Sequence, residues 1–223
     1  MKENAMKNDY THLTVILDRT GSMESIRDDT IGGFNSFLEE QQKLPGQATI
    51  TLVQFDSQDP YEVICRFTPA LEVPKLNREM YVPRAQTPLL DAIGRGVNDL
   101  EASLAKLADN ARPSKVVLAI VTDGQENASR EFTRVQIVKM IEEKTKKDDW
   151  QFVFLSADLA SIRDAEAYGI DMQANLAYVK DSHGTRHAWA TLSKNTADYR
   201  GNRKKKIGFD AGDRKHPGDP ACK

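Results

Sequence analysis

The sequence predicts an α/β fold built on a doubly wound, mostly parallel sheet with helices on both faces. Three observations carry that expectation. Short runs of nearly continuous apolar residues recur along the 223-residue chain, amphipathic helical patterns lie between them, and an acidic residue directly follows two of the runs. Runs without polar alternation fit strands covered on both faces, as in a parallel sheet between two helix layers. Sheets of this kind bind ligands beyond the carboxyl ends of their strands, where the winding direction reverses.

The first run is "LTVIL" (13–17), and Met23, Ile26, Ile31, Phe34 and Leu38 follow it at helical spacing. The second, "ITLVQF" (50–55), is separated by only a short loop from "YEVICRF" (61–67), which reads as a hairpin partner at the sheet edge. Leu90, Ile93, Val97, Leu100, Leu104 and Leu107 then trace a long amphipathic helix, and "VVLAIV" (116–121) supplies the third buried strand. Thr133 followed by Gln136 is a capping box, so a helix starts there and carries Ile137, Val138 and Ile141. "FVFL" (152–155) is the fourth run, and "NLAYV" (175–179) with the pattern around Trp189 and Leu192 closes the fold. The expected organisation is a leader over residues 1–10, one domain over 11–200 and a basic tail over 201–223. No internal repeat or low-complexity segment interrupts it.

Composition narrows the classes. With 39% hydrophobic residues the chain can bury a sizeable core. No stretch approaches the roughly 18 apolar residues of a membrane span, and the opening "MKENAMKNDYTH" lacks the apolar region of a secretory signal. The expected location is therefore the cytoplasm, with no membrane partner. Cys65 and Cys222 are too few for a disulfide framework and lack metal-finger spacing, so both read as free thiols. Net charge is −2, but the segment from Arg200 onward holds eight Lys or Arg against three Asp, leaving the remainder acidic. The tail, "RGNRKKKIGFD" and beyond, is rich in charge, Gly and Pro and is expected to pack little against the domain. Phe209 is too little aromatic surface for base stacking. Contact of the tail with nucleic acid or an acidic surface is therefore a secondary reading.

Chemistry concentrates at the strand ends. Asp18 follows the first run and Asp123 the third, so if those strands are neighbours at the switch point the two carboxylates converge on one crevice. Thr20 and Ser22 add hydroxyls from the first loop, and Thr87 stands at the start of the long helix. Carboxylates, hydroxyls and water suit a hard ion, Mg²⁺ or Mn²⁺, with Ca²⁺ not separated from them by sequence. Each residue also has a simpler reading. Ser22 can cap a helix beginning near Met23, Thr87 before Pro88 matches an N-cap, and Gly21 suits a tight turn. Capping and ligation are compatible, because a hydroxyl has lone pairs to spare.

Asp18-Arg19-Thr20-Gly21-Ser22, then Thr87 before a helix, then "TDG" (122–124), together resemble the metal-ion-dependent adhesion site of von Willebrand factor A domains, whose first element is Asp-x-Ser-x-Ser. The resemblance covers roughly residues 11–199 and implies that family's Rossmann-like fold. It implies a divalent cation at Asp18, Thr20, Ser22, Thr87 and Asp123: hydroxyls of the first loop contact the metal, the acids often act through water, and a Glu or Asp of a protein partner completes the shell. Thr20 departs from the usual first serine but keeps its hydroxyl. "GGFNSFLEEQ", "PLLDAIG" and "DGQENASREF" resemble the prokaryotic or phage cytosolic branch of the family.

Other chemistries fit less well. "DRTGS" lacks both the uninterrupted Asp-Thr-Gly and the second copy that an aspartic protease dyad needs. A phosphoaspartyl phosphatase wants an acid two positions after Asp18, where Thr20 stands. His183 and His187 lack the intervening Glu of a zinc-protease helix, and no GxxxxGK[ST] loop is present. "GGF" (32–34) lies within a helical pattern, where close packing explains it. The leading expectation is a metal-dependent protein-interaction module rather than an enzyme. The alternative, a metal-assisted hydrolase, needs a general base, for which only Glu126 and Glu24 lie near the loops. Glu126 and Asn127, just after the TDG turn, read either as tuners of partner choice or as part of a solvated turn.

Overall fold

A computed structural model describes residues 9–215. Its sheet has six strands: β1 (Tyr10–Asp18), β2 (Gln47–Phe55), β3 (Glu62–Pro69), β4 (Lys115–Thr122), β5 (Gln151–Ser156) and β6 (Asn175–Ala177), in the order β3-β2-β1-β4-β5-β6. All neighbours are parallel except β3, which runs antiparallel to β2 at one edge, as its short connection predicts. The winding reverses between β1 and β4. The chain first moves outward from β1 to β2 and β3, then crosses back to lay β4 on the other side of β1.

Five helices cover the faces: α1 (Arg27–Lys43), α2 (Leu89–Ala105), α3 (Arg134–Asp148), α4 (Leu159–Ala167) and α5 (Ser182–Arg200). Strand residues alternate between two cores because successive side chains point to opposite faces. Leu13, Val15 and Leu17 with Val117, Ala119 and Val121 pack under α1 and α5, against Phe34, Leu38, Trp189 and Leu192. Ile16, Leu118, Ile120 and Phe154 face α2, α3 and α4, against Ile93, Val97, Ile137, Ile141 and Ala165. Both sides of the central strands are therefore buried, which is why those strands read as largely apolar runs, with His12, Thr14, Thr49, Thr51 and Gln54 as buried polar exceptions.

Several local expectations hold. The capping box at Thr133 and Gln136 forms in both directions. Close packing explains Gly33, where a Cβ would stand 2.1 Å from Cδ1 of Trp189, whereas Gly32 meets nothing within 4 Å. Cys65 is free, and Cys222 lies outside the described residues. No helix among the described residues is long and apolar enough to cross a membrane.

Two boundaries need correction. Tyr10, placed in the leader, is buried in β1 and its hydroxyl bonds to Thr49 Oγ1 at 2.8 Å; residues 1–8 lie outside the described residues. The larger correction concerns the tail, whose residues 201–215 pack on the domain. Ile207 and Phe209 are each only 4% exposed and belong to the core under α1 and α5. The Phe209 N–H donates to Gln173 O at 2.7 Å, and the buried Asp213 carboxylate accepts from Lys194 Nζ (2.9 Å) and Asn195 Nδ2 (3.0 Å). The basic character of the segment hid two apolar anchors. Residues 216–223 lie outside the described residues.

Candidate metal centre

Asp18 ends β1 and Asp123 follows β4, so the pairing of those two strands delivers both acids to one end of the sheet. The Asp18 side chain is fully buried, with Oδ1 accepting from the Thr20 N–H (2.7 Å) and Oδ2 from Thr122 Oγ1 (2.6 Å). Burial pushes its carboxyl up to about 7; the Thr122 and Thr20 hydrogen bonds oppose that rise and the charge of Asp123 adds to it. Ser22 Oγ lies 3.1 Å from Thr20 Oγ1 and donates to Asp123 Oδ1 at 2.6 Å, joining loops 101 residues apart in sequence. Thr87 completes the group. A Cβ added to Gly124 would stand 3.6 Å from both Ser22 Oγ and Thr87 Oγ1, so the two hydroxyls flank the same small space. All five residues singled out in the sequence thus gather at the switch point.

The capping alternatives do not describe these hydroxyls. The segment Gly21–Ile26 is a 3-10 turn whose N-cap is Thr20, and α2 has Pro88 at its N-cap, in both cases without a side-chain capping bond. Because Ser22 spends its one proton on Asp123, its Oγ accepts from Thr20 Oγ1 and keeps one lone pair for a cation.

The loops are braced from beneath by groups that sequence reasoning missed. Tyr81 Oη donates to Asp18 O at 2.5 Å and Tyr178 Oη to Thr122 O at 3.1 Å, pinning the two strand ends that carry the acids. Arg19 is buried. Its Nε donates to Asp56 Oδ2 at 2.7 Å and its Nη1 contacts Gln54 and Glu62, tying the first loop to β2 and β3. Asn127 Oδ1 accepts from the Thr87 N–H (2.9 Å), while the Asn127 N–H donates to Thr87 O (3.1 Å), so Asn127 fixes Thr87 in place.

Glu126 is equally committed. Its Oε1 accepts from the Ala128 and Ser129 N–H groups, and its Oε2 from the Leu90 N–H and Ser129 Oγ, all at 2.7–2.9 Å. Four hydrogen bonds saturate the carboxylate, which leaves no lone pair for general-base work. Glu24 is exposed and lies 3.8 Å from Arg27. His183 is exposed and the His187 ring meets Asp213 O at 3.0 Å, so the two histidines do not share a site.

Asp123 has one further neighbour. Its Oδ2 forms no hydrogen bond of good geometry, yet Lys180 Nζ approaches it to 2.7 Å as an ion pair. The one local signal for Lys180 was its place in "YVKD", just past the last strand.

Among the described residues no group of three or more His, Cys, Asp or Glu side chains is placed to hold a metal. A cation here would rely on two carboxylates, three hydroxyls and water. That donor set, all oxygen and poor in charge, fits a hard divalent ion that keeps part of its hydration shell.

Similar solved structures define the fold class: the fold is von Willebrand factor type A-like. Solved structures with the same fold include von Willebrand factor type A from Catenulispora acidiphila (10% identity, TM-score 0.56, covering 84% of this chain and 42% of that one). The pilus adhesin SpaC from Lactobacillus rhamnosus GG, in its open conformation, is similar over 84% of this chain and 30% of its own (12% identity, TM-score 0.62). Manganese-loaded TRAP protein of Plasmodium vivax is similar over 77% of this chain and 69% of its own (10% identity, TM-score 0.52). The chain spans less than half the length of the first two. No family model matches the sequence, and no curated protein matches it significantly.

Proposed function

We propose that this chain is a cytosolic, metal-dependent protein-interaction module that docks an acidic side chain of a partner on a divalent cation held by Asp18, Thr20, Ser22, Thr87 and Asp123. The observation that carries the reading is the Ser22 to Asp123 hydrogen bond of 2.6 Å, which closes two loops into one oxygen cluster beside Asp18 and Thr87. Thr20, Ser22 and Thr87 would contact the ion through their hydroxyls, and Asp18 and Asp123 would balance its charge. When bound, the cation supplies an electrophilic position for the partner's Glu or Asp. Without it the two aspartates repel that carboxylate, so docking depends on the ion. The manganese carried by one protein of the same fold supports the choice of a divalent cation.

The hydrolase alternative is less well supported, because Glu126 is saturated by hydrogen bonds. The tail alternative has also lost ground. Arg200, Arg203, Lys204 and Arg214 are engaged with Gln41, Asp198, Asn195 and Met172, which leaves Lys205, Lys206 and Lys215 as the exposed basic side chains without such a bond among the described residues of the segment.

The test is a melting series with and without Mg²⁺ or Mn²⁺ on the parent, Ser22→Ala, Ser22→Asn and Asp123→Ala. At a hundredfold excess over Kd the ion stabilises the parent by about 2.7 kcal/mol. Ser22→Ala and Asp123→Ala lose most of that gain, and Ser22→Asn recovers only part of it. No shift in the parent, or an equal shift in all four proteins, refutes the site.

A further inference from the structure

The Lys180 ion pair points to a control on the site. The Asp123 carboxylate is fully buried, whereas the Lys180 side chain is 36% exposed and lies 2.7 Å from Oδ2. The lysine backbone is held on both sides. Tyr178 N–H donates to Ser156 O at 3.0 Å and Tyr178 Oη to Thr122 O, while Asp181 caps α5 by accepting from the Gly184 N–H at 2.7 Å. The tether is therefore fixed, and the long side chain is the part able to swing toward solvent.

We propose that Lys180 is a tethered cation that competes with the divalent ion for Asp123, so that loading the site requires the ammonium to leave its carboxylate. The inference rests on the metal-site reading above and goes beyond it by assigning a residue outside the five oxygen donors. An ammonium is a compact charge with no lone pair, so it neutralises Asp123 without ligating anything. While it stays, the net charge of the two aspartates is halved and a dication is repelled at short range. Once it leaves, both carboxylates face the ion. Lys180 thus keeps the metal-free site compact and lowers its affinity for the ion.

The experiment is a calorimetric titration of Mn²⁺ into the full chain, at fixed pH and ionic strength, for the parent, Lys180→Met, Lys180→Arg and Asp123→Ala. The expected result is about tenfold tighter binding in Lys180→Met, equivalent to about 1.4 kcal/mol. Lys180→Arg, which keeps the charge, stays within about threefold of the parent, and Asp123→Ala loses binding. Melting supplies a second readout. Lys180→Met melts below the parent without metal, because a buried carboxylate has lost its partner, and it gains the larger shift when Mn²⁺ is added. If the parent binds Mn²⁺ and Lys180→Met binds it equally or more weakly, the competition is overturned and the site stands. If neither the parent nor Lys180→Met binds Mn²⁺, the metal site itself is overturned and the competition falls with it.

Discussion

Replacing Phe209 by Ala tests whether the basic C-terminal segment belongs to the domain core. Phe209 is 4% exposed and packs in the cluster under α1 and α5, two positions from the equally buried Ile207. Truncating a buried phenylalanine typically costs about 3–5 kcal/mol, the lost transfer energy plus the cavity left behind. The lower figure, about 3 kcal/mol, suits a residue on a terminal segment that can relax. For a domain of this size each kcal/mol moves Tm by about 2–4 °C, so the midpoint should fall by about 6–12 °C. Removing residues 207–223 costs more, since it also deletes Ile207 and leaves Lys194 and Asn195 without the Asp213 carboxylate. Each buried apolar side chain contributes about 1.5–3 kcal/mol and a charged hydrogen bond about 1.5–3. The sum is a large part of the 5–15 kcal/mol that holds a typical domain folded, on the order of half. The assay is urea denaturation of the parent, Phe209→Ala and Lys206→Ala, the last an exposed control expected within about 0.5 kcal/mol of the parent. A loss below about 1 kcal/mol for Phe209→Ala at unchanged m would refute the reasoning.

His12 gives a pH prediction. Its ring is buried, stacks on Phe67 at 3.7 Å and bonds Thr49 Oγ1 and Thr14 Oγ1, and burial lowers its pKa to about 3 from 6.5. The unfolded chain therefore binds the extra proton between those values, so this contribution is complete above pH 6.5 and shrinks as pH falls, by about 3 kcal/mol at pH 4. Equilibrium unfolding of the parent and His12→Phe at pH 7 and pH 4 checks it; an identical pH slope in both proteins contradicts the assignment. Gly33→Ala should cost more than about 2 kcal/mol, since its Cβ meets the Trp189 indole and overpacking forces α1 and α5 apart. Gly32→Ala, with nothing nearby, should stabilise by about 0.5–1 kcal/mol through helix propensity, and thermal melts that rank the two alike would count against the packing described.

Much of the fold was legible because its signals are local. Strands covered on both sides are rich in apolar residues on both faces, which makes "VVLAIV" and "LTVIL" visible without alignment. The capping box at Thr133 and the short connection into β3 are likewise set by residues a few positions apart. The gathering of Asp18, Thr20, Ser22, Thr87 and Asp123 at one end of the sheet was legible because strand ends at a switch point are fixed by topology, so two acids after two runs pointed to one crevice. Tyr81, Tyr178 and Lys180 were not visible in this way. Each reaches the site from a segment remote in sequence, and a lone tyrosine or lysine carries no pattern that tells a brace from a surface residue. The saturation of Glu126 was hidden for the same reason, since it depends on the Leu90 N–H of another element. The tail failed differently. Two apolar residues among basic neighbours fall below any periodicity, and only their docking beside α5 and Gln173 reveals them as core.

The most direct measurement is the anomalous scattering of Mn²⁺ in crystals of the full chain grown or soaked in millimolar MnCl₂. A bound ion at the switch point gives an anomalous peak about 2.1–2.2 Å from at least one hydroxyl oxygen of Thr20, Ser22 or Thr87, with Asp18 and Asp123 in direct or water-mediated contact. Ordered density for the five side chains with no peak among them, at a concentration that saturates any peak elsewhere on the molecule, would contradict the claim that these residues form a metal centre.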